Sequence, residues 1–279
     1  MKKYLAILLA LALCLSLAAC GSSAASAEAP ASEAAASEAA ASAEAAPAEA
    51  APADAALTTI NAGKLTISTS PDFPPFEFTD DSGAVVGIEP EIMELICQKI
   101  GLELDIQAMD FDGALLAAQQ GKVDAVVSGV TVTEDRKLVM DFADSYTTIT
   151  QAIVSKEGSG ITMENLGDYT IGVQRGTTGH IYTEEDFGDK VVAYDTYSMV
   201  FQALNNDQVD CIVMDDAVAK SYLETNPGLE MGPTTYEPEN YAFGFFKGNE
   251  ALVAAVNGAL QELIADGTIQ SILDKYMSE

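Results

Sequence analysis

Val123–Tyr146 reads VDAVVSGVTVTEDRKLVMDFADSY. Val123–Val127 is a short apolar, β-branched run, the pattern of a buried strand. Ser128 and Gly129 end it, and Thr131-Val132-Thr133-Glu134-Asp135-Arg136 follows. Thr131 and Glu134 have the spacing of a capping box, which predicts a helix start. A helix start leaves backbone N–H groups without partners and carries partial positive charge. Arg136 falls in that first turn, where the helix dipole gives a cation no help. A guanidinium there is explained if it completes an anion site, because its planar fork matches a carboxylate. A surface arginine offset by Glu134 and Asp135 fits the same window equally well.

Working outward, the chain alternates strands and helices. Leu65–Ser68 reads as a strand, and Phe76–Val86 as a hairpin turning at Asp80-Asp81-Ser82-Gly83. A helix runs from Pro90, with Ile92, Leu95, Ile96 and Ile100 on one face and Gly101 ending it. Strand Leu102–Ile106 and helix Gly113–Gln120 come next. This alternation indicates an α/β fold with mainly parallel sheets. Leu115–Gly129, LLAAQQGKVDAVVSG, is echoed by Val200–Asp215, VFQALNNDQVDCIVMD. Each reads as helix, polar turn, Val-Asp and apolar strand, which predicts two α/β lobes. Ligands of open α/β sheets settle outside the carboxyl ends of the strands, where Ser128 and Asp215 would be equivalent. Thr147–Ser155 and Glu239–Lys247 are expected to cross between the lobes.

The N-terminus is of another kind. Lys2 and Lys3 precede the apolar run Tyr4–Leu17 and then Leu17-Ala18-Ala19-Cys20, a secretory signal over 1–19. The run is short for a membrane span. A cysteine after small residues resembles the lipobox of bacterial lipoproteins, which implies cleavage before Cys20 and a lipid on its sulfur. The protein is then extracytoplasmic and anchored to the cell membrane. Residues 20–56 consist of that cysteine and an Ala/Ser/Glu/Pro segment that cannot bury enough apolar surface to offset its chain entropy. As a flexible coil it would reach on the order of 35 Å, so it reads as a disordered tether.

With 43 acids against 13 Lys and Arg, the formal net charge is −30, which makes nucleic acid and anionic headgroups poor partners. Cys14 leaves with the signal, so only Cys97 and Cys211 remain beside Cys20, both as core residues. The single histidine, His180, sits in no metal-binding spacing, and no nucleophile elbow is present. No metal, no cofactor and no catalytic residue is assigned, and a monomer is expected.

SGVTVTEDR followed by VMDFADSY resembles the bacterial extracellular solute-binding proteins of family 3, the amino-acid-binding proteins of ABC importers, in which SG-x-T-x-T-x-x-R precedes DFS-x-x-Y. The resemblance runs from about Lys64 to Tyr276. It implies a two-lobed type II periplasmic-binding-protein fold with two crossover strands at the hinge. Lobe 1 would comprise 57–149 and 245–279, and lobe 2 would comprise 150–244. The function implied is capture of a free polar amino acid, basic ones included, by lobe closure. The ligand then passes to a membrane permease driven by an ATPase. The same fold leaves open a cyclohexadienyl-dehydratase-like enzyme and a ligand-binding partner of a signalling receptor.

The resemblance also implies a site. Arg136, the Thr131 hydroxyl and nearby N–H groups would take the ligand's α-carboxylate. The loop Gln174-Arg175-Gly176-Thr177-Thr178-Gly179 would join them, chiefly through Thr178. Asp215 would take the ammonium, with the carbonyls of Ser128 and Gly129, while Asp216 caps a helix over Ala217–Asn226. Phe73 and Phe111 would form opposite walls, and Phe76 and Phe78 would be core. Ser70 stands where relatives that hold basic amino acids place Asp. Gln174 would contact the ligand side chain, and Asp72, Glu77 or Asp110 could compensate for the missing acid.

Overall fold

In the computed structural model, which describes residues 57–277, strands and helices alternate to build two five-stranded sheets. The leader, Cys20 and the tether fall outside the described residues. The chain enters through β1 (Lys64–Thr69). It then forms an antiparallel ribbon of β2 (Asp72–Phe73), β3 (Glu77–Thr79) and β4 (Val85–Val86). Helix α1 (Ile88–Ile100) buries Ile92, Met93 and Ile96 and stops at Gly101, whose φ of 74° a side chain would resist. β5 (Glu103–Ala108), α2 (Phe111–Gln119), β6 (Ala125–Val126), α3 (Glu134–Val139) and β7 (Met140–Phe142) follow.

The first crossing strand is broken at Thr150 into β8 (Thr147–Ile149) and β9 (Gln151–Lys156). Beyond it lie β10 (Ile171–Gln174), α4 (Thr178–Phe187), β11 (Val191–Tyr194), α5 (Tyr197–Asn205), β12 (Cys211–Asp215), α6 (Asp216–Thr225) and β13 (Leu229–Pro233). The returning strand is also broken, into β14 (Glu239–Tyr241) and β15 (Gly244–Phe246). The helices α7 (Glu250–Ala265) and α8 (Thr268–Met277) end the described chain.

The first sheet has the order β5-β1-β6-β15-β7 and the second β11-β10-β12-β9-β13. Each has a parallel trio, β5-β1-β6 or β11-β10-β12, flanked by antiparallel strands that belong to the crossings. Between the sheets β8 pairs only with β14, so the two crossings form one narrow ribbon. Both sheets are covered on both faces, as parallel strands require. In β12, Ile212 and Met214 join one apolar cluster while Cys211 and Val213 join another. Cys97 and Cys211 are both buried, unpaired thiols, and burial pushes them up to about 11 and about 12.

The Val-Asp echo has one job in both halves. Asp124 accepts from the N–H of Thr66 at 2.9 Å, and Asp210 accepts from the N–H of Thr170 at 2.8 Å. Each carboxylate pins the start of the neighbouring central strand. Asp124 also takes the N–H of Ile60 and is buried, whereas Asp210 is exposed. Removing Asp124 leaves a buried N–H unpaired, at a cost of about 1–3 kcal/mol. Asp124→Ala is therefore expected to lower the unfolding free energy by that amount, and Asp210→Ala by clearly less. Paired urea melts check this, and equal losses would contradict it.

Candidate ligand site

The sequence places its helix start two residues early. Thr133, not Thr131, caps α3, accepting from the Arg136 N–H at 3.2 Å. The Thr-x-Thr repeat offers two hydroxyls in competing registers, and the bond goes to the later one. Thr131 is thereby released to point elsewhere, and its hydroxyl donates to Glu239 Oε2 at 2.6 Å. A similar correction applies to α6. Asp215 stands at the cap position, but its side chain makes no capping bond to the helix. Asp216 is the first helical residue, and its carboxylate accepts from the N–H groups of Ala217 and Thr150.

One small cavity, with free space of about 10 Å³, is lined by Phe73, Phe111, Gly129, Thr131, Arg136, Gln174, Thr177, Thr178 and Asp215. Nine of the eleven residues singled out from the sequence thus meet around a single cavity. They come from β2, α2, α3 and the turn after β6 on one side, and from β10, α4 and β12 on the other. Ser70 and Ser128 do not line it. Behind the wall, the Ser70 N–H donates to Ser128 Oγ at 3.0 Å, and the Ser70 hydroxyl donates to Asp72 at 2.9 Å.

Arg136 is 7 % exposed. Its guanidinium donates to the Thr131 carbonyl at 2.7 Å and, across the cleft, to the Gly176 carbonyl at 3.0 Å. It also lies over the Phe111 ring, 5.7 Å from the centroid. No ion pair involving it exists among the described residues. Burial lowers its pKa, and the nearby charges of Glu239 and Asp215 oppose that shift. The guanidinium keeps its proton in any case.

Phe73 stacks on Tyr197 of α5 with ring centroids 5.7 Å apart. Gly129 makes room for it: at φ 55°, an added Cβ would lie 2.5 Å from Phe73 Cε1. Two buried acids hold this turn. Ser128 donates to Glu77 at 2.8 Å, and the Gly129 N–H donates to Glu89 at 3.0 Å. Burial, then the Glu89 charge, pushes Glu77 well above the ordinary carboxylate range.

The three acids considered as substitutes at Ser70 therefore have separate positions. Glu77 faces inward behind Ser128, and Asp110 caps α2 through the Gly113 N–H at 2.9 Å. Asp72 stands beside Gln174 and accepts from the Tyr197 N–H at 2.7 Å, joining the two halves. Of the two phenylalanines read as core, Phe76 is fully buried and Phe78 half-buried.

Two residues at the cavity edge were not anticipated: Gln151, the first residue of β9, and Glu239, the first residue of β14. Gln151 Nε2 donates to an Asp215 carboxylate oxygen and to Glu239 Oε1 at 3.2 Å. Glu239 Oε2 also accepts from the Thr178 hydroxyl at 2.7 Å. The usable signal was an acid opening the otherwise apolar run ENYAFGFF, in phase with buried Tyr241.

Asp215 is 5 % exposed. Burial, then the Glu239 charge, raises its pKa from 3.8 to about 7, with Tyr241 and Gln151 pulling the other way. The folded value exceeds the unfolded one, so the folded protein binds the extra proton between them. Stability therefore falls as pH rises from about 4 to about 7, and the full penalty persists above that. Asp215→Asn removes the charge. It is expected to raise the melting temperature of the empty protein at pH 8, by up to a few kcal/mol in stability, and to leave it unchanged near pH 4. Scanning calorimetry at both pH values checks this, and a destabilised variant at pH 8 would contradict it.

Residues 65–279 match the family model described as bacterial extracellular solute-binding proteins, family 3. Among curated proteins, the arginine-binding extracellular protein ArtP of Bacillus subtilis is 30 % identical over 285 residues, covering 100 % of this chain and 99 % of that one. An ancestral arginine-binding protein solved with glutamine is 39 % identical, with a TM-score of 0.74, over 78 % of this chain and 99 % of that one. An ancestral arginine-binding protein solved with arginine is 38 % identical, with a TM-score of 0.73, over 77 % and 99 %.

Proposed function

Because the chain belongs to the bacterial extracellular solute-binding proteins, family 3, we propose that it captures one free, cationic amino acid, arginine foremost, and presents it to the permease of an ABC importer. The single observation carrying this reading is the cavity. It takes Arg136 from one half and Asp215 from the other. Its free space of about 10 Å³ is roughly one water's worth, so a ligand enters only as the halves part.

A zwitterion leaving water needs an opposite charge at each end. Arg136 and the first turn of α4 take the carboxylate, and Asp215 takes the ammonium. Phe73 and Phe111 cover the aliphatic stem. Two features favour a further positive charge on the ligand. The buried cleft holds two acids, Asp215 and Glu239, against one cation, Arg136. In addition, Asp72 lies against Gln174, where a long side chain would end. The relatives named above are arginine-binding proteins, and one of the solved forms holds glutamine. The relatives carry binding-protein names, and we assign the cavity no reaction.

Ligand contacts come from both halves, so they are complete only when the halves meet. Binding therefore shifts the hinge equilibrium toward the closed form, which the permease would recognise. Anchoring belongs to the same proposal: cleavage before Cys20 and a lipid on its sulfur would hold the tethered protein at the membrane surface as a monomer.

Calorimetric titration with L-arginine and a thermal-shift screen of the twenty amino acids test the ligand. Arg136→Ala is expected to lose about 3–5 kcal/mol of binding, since a carboxylate is left buried and unpaired. Arg136→Lys should also bind poorly, because the fork is lost. Near wild-type affinity in Arg136→Ala would refute the assignment. For the anchor, Cys20→Ser is expected to move the protein from the membrane fraction to the soluble one. Unchanged membrane association in that variant would sink it.

A further inference from the structure

Glu77 of β3 and Glu89 in the first turn of α1 are both fully buried, and no cation pairs with either among the described residues. Their backbones meet where the Glu89 N–H donates to the Phe76 carbonyl at 3.0 Å. Their carboxyl groups lie within hydrogen-bonding reach of each other. Two buried carboxyls in contact cannot both stay charged, because each charge disfavours the other. Their partners say which one keeps a proton. Glu89 accepts from the Gly129 N–H at 3.0 Å and from the Tyr146 hydroxyl at 2.5 Å, so both of its oxygens are engaged as acceptors. Its place in the first turn of a 13-residue helix also favours negative charge. Glu77 accepts from Ser128 on Oε1 at 2.8 Å, and no donor reaches its buried Oε2. A buried acceptor without a donor is costly, but as an O–H the same atom becomes a donor. Burial, then the Glu89 charge, raises the Glu77 pKa, and the charge of Asp72 adds to the push.

We propose that Glu77 keeps its proton at neutral pH and donates it to Glu89, and that this acid–carboxylate pair is a clasp positioning the Ser128-Gly129 turn against the hinge. Each acid takes one residue of the turn: Glu77 the Ser128 hydroxyl, Glu89 the Gly129 N–H. Through Tyr146, Glu89 also reaches the residue just before β8. The Tyr146 ring stacks on Phe243, between β14 and β15, with centroids 5.1 Å apart. One shared proton thus ties a turn on the cavity wall to both crossings. The ligand-binding role of the turn rests on the amino-acid-binding reading above; the proton does not.

The test replaces each acid by its amide. Glutamine mimics a protonated glutamic acid, donating on one side and accepting on the other, but it cannot accept on both. Glu77→Gln keeps the bonds to Ser128 and Glu89 and needs no proton. An acid whose folded pKa is raised loses stability as pH rises above its unfolded value. Glu77→Gln should therefore melt above the wild type at pH 8 and level with it near pH 4. Glu89→Gln sets an amide donor against the Gly129 N–H or the Tyr146 hydroxyl. It should melt below the wild type at both pH values and lose about 10-fold or more in L-arginine affinity. In the infrared spectrum at pH 8, the carbonyl stretch of a protonated carboxyl should be present in the wild type, lost in Glu77→Gln and retained in Asp215→Asn. The reverse order of the two amide variants, equal melting of both, or no such band in the wild type would overturn the proposal. A Glu77→Gln chain that does not fold would also overturn it, because the amide reproduces both bonds. Should Glu89→Gln not fold, the infrared comparison decides alone. A wild type that binds none of the twenty amino acids would remove the functional reading and leave the shared proton standing.

Discussion

A guanidinium buried to 7 % exposure without an ion partner is the constraint around which this molecule is arranged. Carbonyl oxygens accept two hydrogen bonds from Arg136 but do not neutralise its charge. Across the cleft Asp215 and Glu239 are in the converse position, being acids that have neutral hydrogen-bond donors and no cation. Charges held apart in a desolvated site are costly when nothing bridges them. A molecule with a carboxylate at one end and an ammonium at the other would relieve both sides at once. The fold supplies what keeps the charges apart: two doubly covered sheets whose strands end at the cleft, joined by a ribbon two strands wide.

Much of this was legible in the sequence because it is local. The β-branched run before Ser128, the Val-Asp echo and the glycine after α1 are written in adjacent residues, and the structure places strands, paired carboxylates and a left-handed cap there. The resemblance then carried the site, and nine of its eleven residues gather on one cavity. Misreadings arose where two neighbours could do the same job. Thr131 and Thr133 both precede a helix by a plausible interval, and so do Asp215 and Asp216. Which of each pair caps and which faces the cleft is settled by packing, not by spacing.

Glu239 and Gln151 were not legible for a different reason. Their role exists only once two segments 88 residues apart in sequence are paired as β8 and β14 at the hinge. Glu77 and Glu89 make the same point: in sequence Glu77 offers only a possible substitute at Ser70 and Glu89 no signal, yet both are buried and hold the turn that admits Phe73.

The most direct measurement is a crystal structure of the protein grown with L-arginine. The account predicts one ligand molecule between the halves, its carboxylate within hydrogen-bond distance of the Arg136 guanidinium and its ammonium within that distance of the Asp215 carboxylate. A ligand bound with those ends reversed, or seated away from both residues, would contradict it.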